Sequence, residues 1–170
     1  MPPTTTTLPP KTALKDELVK LLTVDLDAAE RAQATTRAGA THEEAKPEND
    51  KDTRALEQSY LARGQAMRVE ELRTAVIEVK AMGLRDYGEA QAVAMGALVT
   101  AEEEDKDGRT QAVRFFLAPQ GGGAKLVGGA VLVVTPKSPL GQALVGKKVG
   151  DACEVRLAGR TRELSIVGIA

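Results

Sequence analysis

Residues 133–151 read Val133-Val-Thr-Pro-Lys-Ser138-Pro139-Leu-Gly141-Gln-Ala-Leu144-Val-Gly146-Lys147-Lys148-Val-Gly150-Asp151. Gly141 to Lys148 is one letter short of the phosphate-binding loop G-x-x-x-x-G-K-[ST]. Such a loop needs a flexible glycine-rich turn with inward-pointing amides, placed after a strand and before a helix. Here Gln-Ala-Leu-Val fills the gap, helix formers suited to packing, and Lys148 stands where a magnesium-binding hydroxyl belongs. Ser138 as cap and Pro139 at the first helical position predict a short helix through Leu144, closed by Gly146. The two glycines then flank a helix instead of opening one. A nucleotide loop is not expected.

The same region sits in a β-prone half that begins near Glu89. Val93–Val99, Ala112–Leu117, Val131–Val134, Ala152–Leu157 and Glu163–Ile169 read as some five short strands. Asp107-Gly108 is a strong hairpin signal, and Ala158-Gly-Arg160 reads as the turn joining the last two strands. Gly121-Gly-Gly123 reads as a loose hairpin.

Before Glu89 the period is that of helices. Leu14, Leu18 and Leu21 recur at seam spacing, continued by Ala28 and Ala32. After Pro47, Val69, Leu72, Val76 and Val79 form a second seam. Stepping it backwards gives Ala55, Gln58, Ala62 and Gln65, with Leu56, Tyr60 and Met67 alongside. The seam is strong far from Pro47 and thin near it. Two such runs predict an antiparallel helical hairpin that turns within Gly39–Asp52. A helix from Thr53 to Val79 is roughly 40 Å long. Asn49, Asp50 and Asp52 suit its N-terminus.

The 170-residue chain carries a net charge of −1, with no Trp, two Tyr and two Phe. That balance argues against a nucleic-acid surface built on basic excess or stacked aromatics. One cysteine, Cys153, excludes an intramolecular disulfide, and with His42 the only histidine it reads as a small core thiol. The start, MPPTTTTLPP, lacks a basic leader and an apolar run, and no stretch approaches transmembrane length. A disordered leader over 1–10 and a cytoplasmic protein with no membrane association are expected.

The stretch 133–151 closely resembles the C-terminal signature of the Gre (GreA/GreB-like) bacterial transcription elongation factors. Serine-proline opens a short helix ending in alanine-leucine, Gly146-Lys147 and Gly150-Asp151 follow, and a hairpin ends the chain. The preceding helical hairpin also fits the family. The resemblance implies an α+β fold: an antiparallel coiled-coil hairpin over 11–84 with an acidic tip, then an FKBP-like antiparallel sheet with a short helix over 89–170. It further implies a monomer with no catalytic residues of its own. The C-terminal domain would bind RNA polymerase near its secondary channel, with Ser138, Pro139 and Lys147 in the matching motif. The hairpin would enter the channel toward the transcript 3′ end.

Tip carboxylates in the family help hold a Mg²⁺ shared with the polymerase, so that it cleaves backtracked RNA; no tightly bound cofactor is implied. Hard Mg²⁺ takes few protein oxygens and keeps waters. The candidates are Glu44, Glu48 and Asp50, with Glu43 and Asp52 secondary; Glu48 and Glu44 are the metal pair. The plain alternative is that these acids are solvated turn residues and caps. Aligning on Glu48-Asn49 puts Ala45 where the family has aspartate, and Asp52 where it has an aromatic. Arg54 and Arg63 are the only arginines near the tip on the second helix. Two other readings stay open: a channel-occupying regulator that promotes no cleavage, and an FKBP-like isomerase or chaperone, for which Tyr87, Phe115 and Phe116 are the available aromatics.

Overall fold

The computed structural model describes residues 8–43, 53–88, 90–104, 108–157 and 160–170. The chain divides into two compact units, Lys20–Ile77 on the one hand and Met1–Val19 with Glu78–Ala170 on the other.

Helix α1 spans Lys11–Glu43 and α2 spans Thr53–Ala81. Their partners run in opposite senses, as an antiparallel pair requires. Lys15 Nζ donates to the Met82 carbonyl (2.6 Å), whereas Arg73 donates to Glu30 (2.7 Å). In α1 the buried leucines are Leu14, Leu18 and Leu22; Leu21 is 40% exposed. The stripe then runs through half-buried Leu26, Ala29, Gln33 and Thr36, while Ala28 and Ala32 face water. The expected positions Leu21, Ala28 and Ala32 are thus replaced by neighbours. Four-residue steps follow the ridge of a straight helix, and the expected four-then-three alternation leaves it one turn early.

In α2, Val69, Leu72, Val76 and Val79 are buried as predicted. Ala62 and Gln65 are half-buried, but Gln58 is exposed. The turn, with Asn49, Asp50 and Asp52, lies outside the described residues.

The second unit is built on a six-stranded sheet: β1 Leu98–Glu104, β2 Thr110–Leu117, β3 Lys125–Leu126, β4 Val131–Val134, β5 Ala152–Leu157 and β6 Arg160–Ile169, in the order β3-β4-β2-β1-β6-β5. A short helix α3, Pro139–Leu144, lies between β4 and β5. β1–β2, β1–β6, β3–β4 and β5–β6 are antiparallel. β2 and β4 are parallel, with Phe116 beside Val133, so the sheet is mixed instead of purely antiparallel. Gly121–Gly123 therefore does not close a hairpin between them. The chain turns there into the short edge strand β3, turns again through Val127–Gly129, and returns as β4 beside β2.

Of the run Val93–Val99 only its end is strand; Gly96, at φ +81°, turns the chain before β1. One sheet face carries Val99, Ala101, Phe115, Leu117, Val134, Val155, Leu164 and Ile166, packed with Leu140 and Leu144 of α3. Alternation puts Phe116 and Val133 on the other face, where they are also buried. The helical ends of the same unit, with Leu14, Leu18 and Val79 at zero exposure, supply further core.

A glycine-rich loop fastens those helical ends. Gln120 Nε2 donates to Glu78 (2.8 Å), and Gly121, at φ +80°, lets Leu18 Cδ1 approach to where a Cβ would sit 2.7 Å away. The Glu17 carboxylate accepts from the Val127 N–H (3.1 and 3.2 Å). Val127 is the only non-glycine residue with positive φ among those described, at +53°. A β-branched side chain is strained there.

Candidate functional site: the α3 rim

The stretch from Val133 to Asp151 builds one connected surface. Ser138 has the extended backbone of a helix cap (φ −72°, ψ 155°). Its hydroxyl accepts from the Gly141 N–H (3.1 Å) and donates to the Thr135 carbonyl (2.7 Å). Pro139 takes the first helical position, where no N–H is needed. Beyond α3, Gly146 turns the chain at φ +83°. Its N–H donates to the Val93 carbonyl (2.9 Å), and the Lys147 carbonyl accepts from the Val93 N–H (2.8 Å). The Asp151 carboxylate accepts from the Lys148 N–H (2.8 Å) and closes the next turn.

Helix α3 runs from Pro139 to Leu144 as expected, so Gly141 lies inside its first turn and only Gly146 flanks it. A Cβ on Gly141 would lie 2.0 Å from the Thr135 carbonyl oxygen and 2.9 Å from Pro136 Cα. This glycine lets the helix sit on the turn that precedes it, and it points no amide at a phosphate.

The side chains left outside include apolar and basic groups, together with Gln142 and Asp151. Pro139, Val145 (42%) and Val149 (40%) are exposed apolar groups. Lys137 and Lys148 are exposed and Lys147 is half-buried. No carboxylate occurs from Val131 to Gly150, so the rim is locally basic although the chain is not. Ser138 itself is half-buried and spends its hydroxyl on the cap. Of the three motif residues, Pro139 and Lys147 offer surface and Ser138 holds it in place. Cys153 lies beneath, in the core. Burial pushes its thiol pKa up, with nearby Lys147 partly opposing.

The acidic candidates fall elsewhere. Glu44, Glu48, Asp50 and Asp52, with Ala45, lie outside the described residues; Glu43 ends α1 and its side chain is also outside them. Among the described residues no cluster of His, Cys, Asp or Glu could hold a metal, and no helix is long and apolar enough to cross a membrane.

An open groove of about 540 Å³ is lined by Leu8, Pro9, Leu98 and Ile169, with Lys11 and Asp86. Lys11 is already engaged, donating to the Arg85 carbonyl and lying 4.9 Å from the Tyr87 ring centre. No aromatic side chain lines this groove. Phe115 and Phe116 are buried, and Tyr87 donates its hydroxyl to the Met95 carbonyl (2.8 Å). A proline-binding pocket of the isomerase kind finds no aromatic walls here.

Residues 88–170 match the family model described as transcription elongation factor, GreA/GreB, C-terminal. Residues 88–170 are thus a GreA/GreB C-terminal domain. Solved structures similar to the chain include GreA factor homolog 1 (Gfh1) of Thermus thermophilus, at 14% identity over 89% of this chain and 94% of that one, TM-score 0.39. Gfh1 of Thermus aquaticus follows at 15% over 88% and 92%, TM-score 0.40. The GreA/GreB factor of Nitrosomonas europaea is 19% identical over 62% and 91%, TM-score 0.37. Comparison with curated proteins found no match. In GreA/GreB terms, the matched segment contains the whole sheet, α3 and the basic rim.

Proposed function

We propose that this chain is a secondary-channel factor of RNA polymerase. The α3 rim docks on the polymerase, and the α1–α2 hairpin carries its acidic turn toward the active site and the transcript 3′ end. The observation that carries this reading is the rim itself: three lysines and three exposed apolar side chains on a rigid cap, inside the GreA/GreB domain. Such a surface suits an acidic protein partner with apolar contacts at its centre. Helix α2, 29 residues long, gives a reach of roughly 43 Å.

Glu48 and Glu44, with Asp50, are the residues that would share a Mg²⁺ with the polymerase. Bound there, the ion would supply positive charge against that developing on the cleaved phosphodiester. The chain's part is to present carboxylate oxygens, and cleavage stimulation follows from that. A second reading, channel occupancy without cleavage, is favoured by one specific observation: Ala45 stands at the family's aspartate position.

Both readings require docking. Purified polymerase should bind the chain, and Pro139→Glu or Lys147→Glu should weaken binding at least about tenfold. Glu48→Ala should leave binding intact. Backtracked complexes with end-labelled RNA and Mg²⁺ then separate the readings. Shortened transcripts that disappear with Glu48→Ala support cleavage, and unshortened RNA with retained binding supports the second reading. No polymerase binding by the unmutated chain would contradict both.

A further inference from the structure

Helix α2 carries two seams. The inner one, Ala62, Gln65, Ala66 and Val69 in its outer half, is the partly or fully buried side. Leu56, Tyr60 and Met67 fall within about 40° of one another on the roughly opposite side of the helix. They are 57%, 66% and 57% exposed. This outer stripe keeps heptad spacing, with Leu56, Arg63, Glu70 and Ile77 at one position and Tyr60, Met67 and Thr74 at the other; four of the seven are apolar. Every one of these side chains is exposed, Ile77 at 65%.

Read backwards, the stripe is its own complement. In an antiparallel pairing of two copies, Leu56 meets Ile77, Tyr60 meets Thr74, Arg63 meets Glu70, and Met67 meets a second Met67. A parallel pairing would instead oppose Arg63 to Arg63 and Glu70 to Glu70, which is unfavourable. The Glu70 carboxylate is 70% exposed and already touches Arg73 (2.7 Å), but Arg73 keeps Glu30 as a second partner. Glu70 can therefore turn to Arg63 of the other copy without stranding Arg73.

From Leu56 to Ile77 the stripe is roughly 32 Å long. Two helices packed along that length bury on the order of 1,000 Å², the lower bound of a specific interface. We infer that the outer face of α2 is a self-association surface, forming an antiparallel, two-fold dimer that is weak and concentration-dependent.

Sedimentation velocity of the full chain, from micromolar to hundreds of micromolar, tests this. The sedimenting mass should rise toward two chains with concentration. Arg63→Glu should weaken the dimer at least about tenfold, and combining it with Glu70→Arg should restore it, because the swapped pair is again opposite in sign. Met67→Glu, which puts two carboxylates on the two-fold axis, should leave one-chain mass throughout while helical circular dichroism is unchanged. A one-chain mass for the unmutated protein over the whole range overturns the proposal, as does failure of the double swap to restore association. One-chain mass with polymerase affinity lowered by Met67→Glu also overturns it, and assigns the stripe to the polymerase. Polymerase binding by the unmutated chain is a separate readout and can succeed or fail independently.

Discussion

Gly141 shows how a single missing Cβ can hold a site together. With a carbonyl oxygen 2.0 Å from where that atom would go, the helix or its preceding turn must move for any other residue. Gly141→Ala should cost about 3 kcal/mol or more, read as a lower denaturation midpoint, and distort the rim. Val127 is the opposite case, a side chain where glycine would be easier. Val127→Gly removes left-handed strain at φ +53° and should stabilise the fold by about 0.5–1 kcal/mol, despite the added freedom of the unfolded chain.

Cys153 gives a pH prediction. Its thiol pKa is raised on folding by burial. The folded state thus holds this proton more tightly than the unfolded chain. The contribution is fully present below the unfolded value near 9.0 and is lost as pH rises through the folded value. Native protein at pH 8 should react with thiol reagents far more slowly than the urea-unfolded chain. Cys153 as a core thiol was legible from strand alternation. Gly141's packing role was not, because a phosphate-loop pattern and a helix-seating glycine use the same letter. Val127 was invisible, since no sequence rule places a β-branched residue at positive φ.

Among the elements, the helices were the most legible. Leucines and valines at helical spacing marked both helices, and α2 begins at the expected Thr53. The seam position slipped where Leu21 and Leu22 are adjacent, because either satisfies the pattern and only packing chooses. The sheet was read strand by strand but not as a topology. β3 has two residues, below any periodic signal, and it converts an expected hairpin into a parallel β2–β4 pair.

The thin outer seam of the hairpin has an energetic consequence. Gln65 Oε1 is shielded from solvent and lacks a hydrogen-bond partner. Such a group costs about 1–3 kcal/mol. Gln65→Leu should therefore raise the midpoint of helix melting by circular dichroism, and slow amide exchange in the outer half of α2.

For the molecule as a whole, the C-terminal signature carried most of the functional information. The rim that would touch a partner is laid out by Ser138, Pro139 and Gly146, all readable in order along the chain. What could not be read was which of those residues present surface and which support it. That distinction depends on burial, and Ser138 proves to be a cap. The acidic turn is legible only as composition: Glu44, Glu48 and Asp50 are near one another in sequence, and Ala45 interrupts the family spacing.

The most direct test puts a photo-cross-linking side chain at position 48, in place of Glu48, and binds the protein to polymerase stalled with labelled RNA. If the rim docks and the hairpin enters the channel, light should attach the chain to polymerase segments around the active site or to the transcript 3′ end. That labelling should fall with Pro139→Glu. Cross-links confined to the polymerase exterior, or none at all while the chain remains bound, would contradict channel entry.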